Sequence, residues 1–340
     1  MASAWLFFFS ADQGRRPAVI RKLVRNQATS STLFWAMVYG LLDWQNTIPH
    51  LNEPQFTAAL QQGQQKGLVR SQDGELFLTP EGARQRQEMV AHRLALTTPR
   101  LFRQVAVADW VQMVRFLVQV ASEASYHNAK YVVATDRLQF KVTLKRWLRA
   151  GHSLAELRDA LSGSLAAVLK AMPANQADCY AQGLVGHGYY GHTTAQRATG
   201  QLTVQDVQVN DQNVALAVWQ KWQRWPAGAA LMTPFRRPDL APSLVTTGKM
   251  IAAGMSLAAI AQRRHLKLST VADHAVMLAL YRPEFPVARL LSPARIAQLD
   301  QLAPTDYVHW AYRDVVATDA AITFPEFRLY QIRRWRHEHE

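Results

Sequence analysis

A mainly α-helical protein is the fold class that the sequence predicts, with an N-terminal winged-helix-like unit, a helical middle and a C-terminal helix-turn-helix domain. Three observations predict it. The pair Asp73-Gly74, between the short strand-like runs GLVR and ELFL, is a strong hairpin-turn signal with helical segments on either side. The middle third carries apolar and basic residues at helical spacing. The stretch SLAAIAQRRHLKLSTVADH, residues 256–274, places a cap, a small residue, a turn hydrophobe and a core valine at helix-turn-helix separations.

Residues 1–97 form the first expected domain. The apolar run Trp5–Phe9 is too short to span a bilayer and lacks a preceding basic stretch, so it reads as a buried opening strand or helix turn rather than a signal peptide. Two helices follow, broken near Ala28–Ser31, the second of them mostly apolar. Asn52 is an N-cap with Gln55 in the capping-box position, and that helix ends at Gly67. Thr79-Pro80 starts another helix after the hairpin, with proline at its favoured first position.

The middle domain is expected over residues 98–235. Arg137, Lys141, Lys145 and Arg149 fall at successive i+4 steps, a basic stripe opposite the apolar Phe140, Leu144, Trp147 and Leu148. Gly151 ends that helix, and Ser153 with Glu156 starts the next. Residues 226–243, with four prolines and no apolar periodicity, read as the linker to the last domain, 236–340.

In that last domain Leu244–Ala253 is the leading helix, stopped by Gly254. Ser256 caps the second helix, which packs through Leu257, Ile260 and Ala261. Leu266 or Leu268 plugs the turn, and Ser269 caps a third helix whose Val271 and Leu278 face the core.

The formal net charge is +13, which favours polyanionic partners. The excess is +4 over residues 1–100, +5 over 101–235 and +4 over 236–340, so no single tail carries it. The single cysteine, Cys179, excludes a disulfide framework and fits a reducing cytoplasm.

The candidate interface follows from where the charges fall. Base-reading helices usually offer Arg, Lys, Asn or Gln, but the outward positions expected on the third helix are Thr270, Ala272, Asp273 and Met277. The cations Arg263, Arg264 and Lys267 sit at the end of the second helix and in the turn, where phosphates are held. Lys249, Ser269 and Thr270 join them as candidates, with the stripe Arg137–Arg149 as a second phosphate track. Arg333, Arg334 and Arg336, with the nearby Arg328, interleave with Tyr330 and Trp335, two rings able either to stack on bases or to fill the core. Cys179, His187 and His192 lack a fourth partner and tight pairing, so no metal is expected. TTGKM fails the phosphate-loop pattern, and no catalytic motif occurs; neither an enzyme nor a cofactor is expected.

Gly254, Ser256, Ile260, Ala261, Arg264, Leu266, Ser269, Thr270, Val271 and His274 fall on the positions of a known pattern, and this stretch resembles the helicase-associated helix-turn-helix domain. The ending ITFPEFRLY is similar to that domain's closing element, with Pro325 as a departure expected to open the last helix. GRRPAVIRKLVRN and GHTTAQ resemble the YpbB-like proteins, which carry the domain at their C-terminus. The resemblance implies a bacterial, cytoplasmic, non-motor protein that partners a RecQ-type helicase. The leading expectation is therefore a non-enzymatic accessory protein holding DNA largely independently of sequence, with no membrane and no small-molecule substrate. A transcriptional regulator reading a palindromic operator and a protein-docking module are the alternatives.

Overall fold

The computed structural model describes residues 2–200 and 202–339. A 3-10 turn, Ala2–Phe8, leads to α1 (Pro17–Val24) and α2 (Ser30–Val38). Then come α3 (Glu53–Gln65), the strands β1 (Val69–Gln72) and β2 (Glu75–Leu78), and α4 (Pro80–His92). The middle supplies α5 (Leu101–Gln104), α6 (Val107–Ser125), α7 (Leu138–Arg149), α8 (Leu154–Lys170), α9 (Ala174–Ala181), α10 (Thr194–Arg197), α11 (Val204–Trp222) and α12 (Gly228–Met232). Last are α13 (Pro242–Ala252), α14 (Leu257–Arg264), α15 (Leu268–Tyr281), α16 (Pro293–Leu302), α17 (Tyr312–Thr318) and α18 (Phe324–His339). The protein is mainly helical, with a C-terminal helix-turn-helix.

Local signals act as their chemistry requires. β1 and β2 pair antiparallel from Val69↔Leu78 to Gln72↔Glu75. Asp73 and Gly74 both have positive φ, 50° and 78°, as a two-residue hairpin turn that matches strand twist demands. The side chains of Asn52, Thr79 and Ser153 each accept the backbone N–H three residues on and cap α3, α4 and α8. The carboxylate of Glu156 does not close a capping box; it pairs with His152.

The chain divides into two compact units, each built from separated stretches. The first comprises the residues up to Arg15, Asp43–Thr47 and Asn52–Arg237. The second comprises Arg16–Leu42, Ile48–Leu51 and the residues from Pro238 onward. This differs from the expected segments 1–97, 98–235 and 236–340, because α1 and α2 go with the C-terminal helices. The cause is α2. Leu33, Phe34, Trp35, Ala36 and Met37 are all buried, so no single neighbour can cover them. α1 packs on one side and α15 on another.

The helix, hairpin, helix order expected of the first domain is present as α3, β1–β2 and α4. Both helices pack on the opening 3-10 turn, in a unit that contains neither α1 nor α2. The run Trp5–Phe9 is that turn's apolar body: Trp5 meets Phe56 edge-on at 4.7 Å and Phe7 meets Trp44 at 4.5 Å.

The first unit's main core lies among α6, α8 and α11. Trp110 contacts Trp219, Trp222 and Phe235 and donates its indole N–H to Ala215 O at 2.8 Å. The expected linker 226–243 does hold the boundary between the units, after Arg237, but its first half is not a linker. Leu231, Met232 and Phe235 are fully buried, so α12 and the turn after it belong to the core. One helical turn is too short to show periodicity.

α15 is the central element of the second unit: α13, α14, α2 and α18 all pack against it. A satellite core of Leu291, Leu299, Val315, Ile322, Phe327 and Tyr330 joins α16, α17 and α18. Among the described residues, no helix is long and apolar enough to cross a membrane.

Candidate nucleic-acid interface

The helix-turn-helix is α13, α14 and α15. Ser256 Oγ accepts from Ala259 N at 3.2 Å and starts α14. Ile260 and Ala261 are buried toward α15. α14 ends on His265, which holds a left-handed φ of 53°, and Leu266 N returns to Ala261 O at 3.0 Å. Leu266 is the half-buried turn hydrophobe, whereas Leu268 is 54% exposed. Gly248 lies at the α13–α15 crossing, where an added Cβ would meet Leu278 at 3.3 Å.

Ser269 does not cap α15. The N-cap is Lys267, whose side chain makes no capping bond, so Ser269 is the second helical residue. The helix therefore begins without a side-chain cap, beside the exposed Lys267 and Ser269 and the half-buried Thr270, whose N–H returns to Lys267 O at 3.0 Å. Arg263 is exposed in the last turn of α14, and Lys249 is exposed in the last turn of α13. A helix N-terminus attracts anions, and here cations stand just before it in the chain.

Arg264 is turned the other way, a correction to its expected role as a phosphate contact. Its Nη1 donates to Ser243 O at 2.9 Å and to Thr247 Oγ1, and its Nη2 donates to Ser243 Oγ at 2.8 Å. Thr247, fully buried, also meets His274 Nδ1 at 2.9 Å. Burial, and then the nearby Arg264 charge, hold the His274 pKa below the ordinary histidine value, so a neutral ring fits this chain of bonds. Arg264 is spent on bracing α13 against α14.

The expected outward face of α15 is also different. Ala272 is buried, and Met277 and Asp273 are half-buried. Asp273 Oδ1 accepts the hydroxyl of Ser30, at the first turn of α2. The helix that would enter a major groove is thus covered by α2 and α18 along its flanks, and its N-terminal turn is what stays open. Sequence reading missed this because α2 lies more than 200 residues away along the chain.

Of the basic stripe, Lys145 and Arg149 are exposed on α7 and Lys141 is half-buried. Arg137 precedes the helix and pairs with Asp109. On α18, Arg333 is exposed. Arg334 instead bonds Glu338 at 3.0 Å and lies 4.3 Å from the Tyr307 ring, and Arg336 Nη2 donates to Leu280 O at 3.1 Å. Tyr330 is wholly buried, its hydroxyl on Asp300, and Trp335 stacks on His339 at 4.4 Å, so Tyr330 offers no base a face. Thr323, with the carboxylate of Glu326 on its N–H at 2.8 Å, starts α18, and Pro325 sits in its first turn as expected.

Two further cations stand out: Arg328, already noted on the basic last helix, and Arg289, which sequence reading missed. Arg328 lies 4.0 Å over the Phe34 ring with no acidic partner among the described residues, and burial lowers its pKa to about 10. Arg289 is exposed, and its Nη1 would be 3.3 Å from a Cβ on Gly254, at the α13–α14 turn. No sequence motif marks Arg289.

Residues 243–331 match the model of a family described as a helix-turn-helix domain, a span from within α13 to within α18. Comparisons with curated proteins and with solved structures gave no match.

Proposed function

We propose that this protein is a non-enzymatic DNA-binding accessory protein that grips the phosphate backbone and assists a RecQ-type helicase, as the resemblance to YpbB-like proteins implies. The observation that carries the backbone grip is the division of labour in the helix-turn-helix. Its reading helix is covered by α2 and α18, while Arg263 and Lys267 stand exposed around the open start of α15. Phosphate contacts position a protein without selecting sequence, and they make binding steeply salt-dependent. Lys249, Ser269 and Thr270 are the supporting contacts in this reading, with Lys145 and Arg149 as a second basic track. An operator-reading regulator would need amide or cationic side chains along an accessible α15, and Thr270, Ala272, Asp273 and Met277 supply none.

The helicase arm of the reading rests on the resemblance. A docking role for the same domain draws support from the exposed Leu268 and Val245. Binding of the full chain to labelled duplexes of two unrelated sequences tests the grip. Near-equal affinities that fall together with salt are expected, and Arg263→Glu with Lys267→Glu should weaken both alike. Strong preference for one sequence, retained at high salt, would overturn it. Co-purification with a RecQ-type helicase tests the second arm; loss of that association in a Leu268→Asp variant that still binds DNA would favour docking.

A further inference from the structure

The first unit presents aromatic rings to solvent on a loop that is held rigidly. Tyr190 is 92% exposed, Tyr126 66% and Tyr189 45%, well beyond the intermediate burial usual for tyrosine. Tyr126, just past the end of α6, stacks on His187 with centroids 4.4 Å apart and planes 20° from parallel. His187 is fixed twice by α6: its N–H donates to Ser122 Oγ at 3.0 Å, and its Nδ1 donates to Glu123 Oε2 at 2.9 Å. The same carboxylate oxygen accepts from Asn128 Nδ2 at 2.7 Å, and these bonds, His187's first, hold the Glu123 pKa below the ordinary carboxylate value.

The backbone is shaped for this display. Gly186 and Tyr189 exchange both N–H···O bonds, at 2.9 and 3.1 Å, around a tight turn with φ of +68° at Gly188. At Gly191, φ is +69° and a Cβ would lie 2.6 Å from Leu184 O, so only glycine fits. The loop's far end is anchored in the interior. Arg197, 1% exposed, holds Asp211 with two bonds of 2.8 Å and donates to Cys179 O at 3.1 Å. A loop fixed at both ends and shaped by glycines keeps its tyrosines in water without letting them fold inward.

The ligand follows from charge and ring chemistry. The chain segments that carry the rings, residues 124–135 and 179–205, contain no Asp or Glu in sequence but do contain Lys130 and the histidines His127, His187 and His192. The carboxylate of Glu123 is already claimed by His187 and Asn128. Stacking on tyrosine needs an exposed base face, which a duplex hides and a single strand offers, and it tolerates any base. We propose that Tyr126, His187, Tyr189 and Tyr190 form a stacking site for the unpaired bases of single-stranded nucleic acid. This rests on the nucleic-acid reading above for its ligand class, but on different residues in a different unit.

The test is anisotropy of a labelled oligothymidylate and, separately, a labelled blunt duplex, each titrated with the full-length protein. Tyr189→Ala with Tyr190→Ala should lose about tenfold or more on the oligothymidylate and less than about twofold on the duplex. Tyr190→Phe, which keeps the ring, should bind as wild type. Arg263→Glu with Lys267→Glu should show the converse preference, losing duplex affinity first. Unchanged oligothymidylate binding by the tyrosine variant, with thermal unfolding like wild type, would overturn the proposal and leave the rings to a protein partner. Failure of the wild type to hold duplex would sink the phosphate grip alone, since the oligothymidylate comparison stands without it.

Discussion

Arg263 and Arg264 are sequence neighbours with different duties. Arg264 carries three hydrogen bonds into α13, and Arg263 faces water. Arg264→Ala should therefore cost about 1.5–3 kcal/mol in urea unfolding, the range for bonds from a charged donor. Arg263→Ala should stay within about 0.5 kcal/mol of wild type and lose DNA affinity instead. His274 predicts a pH dependence. Its folded pKa lies below the value of about 6.5 expected for an unfolded chain, so as pH falls through that value the unfolded state takes up a proton first. Stability should be complete above that pH, decline below it, and level off beneath the folded pKa. His274→Gln should flatten the decline, and equal pH profiles for the two proteins would contradict this. At His265, whose φ is 53°, His265→Gly should leave stability unchanged or raise it by up to ~1 kcal/mol. The residue types at this site were legible in sequence. The direction in which Arg264 points was not, because both arginines satisfy the same local pattern and the hydrogen-bond partners lie on another helix.

At the scale of elements, α2 is the piece that the sequence placed in the wrong neighbourhood. Its apolar surround was legible, but a helix buried on every side does not say which helices bury it. Phe34, fully buried and under the Arg328 guanidinium, belongs with α15 and α18 although it lies near the start of the chain. Phe34→Ala should cost about 3–5 kcal/mol of the second unit's stability. Hydrogen exchange would locate the loss, with amides of α15 and α18 deprotected and those of α6 and α11 unchanged. The caps and the hairpin were legible because each depends on residues within a few positions. The first half of the 226–243 segment was misread for the converse reason: its prolines are local signals, whereas the burial of Leu231, Met232 and Phe235 is set by distant partners.

For the molecule as a whole, the +13 charge is spread along the chain, and each unit carries its own exposed cations. Composition pointed toward a polyanionic partner, and spacing made the helix-turn-helix legible. The covering of α15 needed the folded chain, and that covering separates a grip from a reader. The account is tested most directly by the slope of log binding constant against log salt on a duplex, for wild type and for a variant with Lys249→Ala, Arg263→Ala and Lys267→Ala. The slope should become shallower by about 0.9 for each phosphate contact removed, by the same amount on unrelated duplex sequences. An unchanged slope, or a loss confined to one sequence, would contradict it.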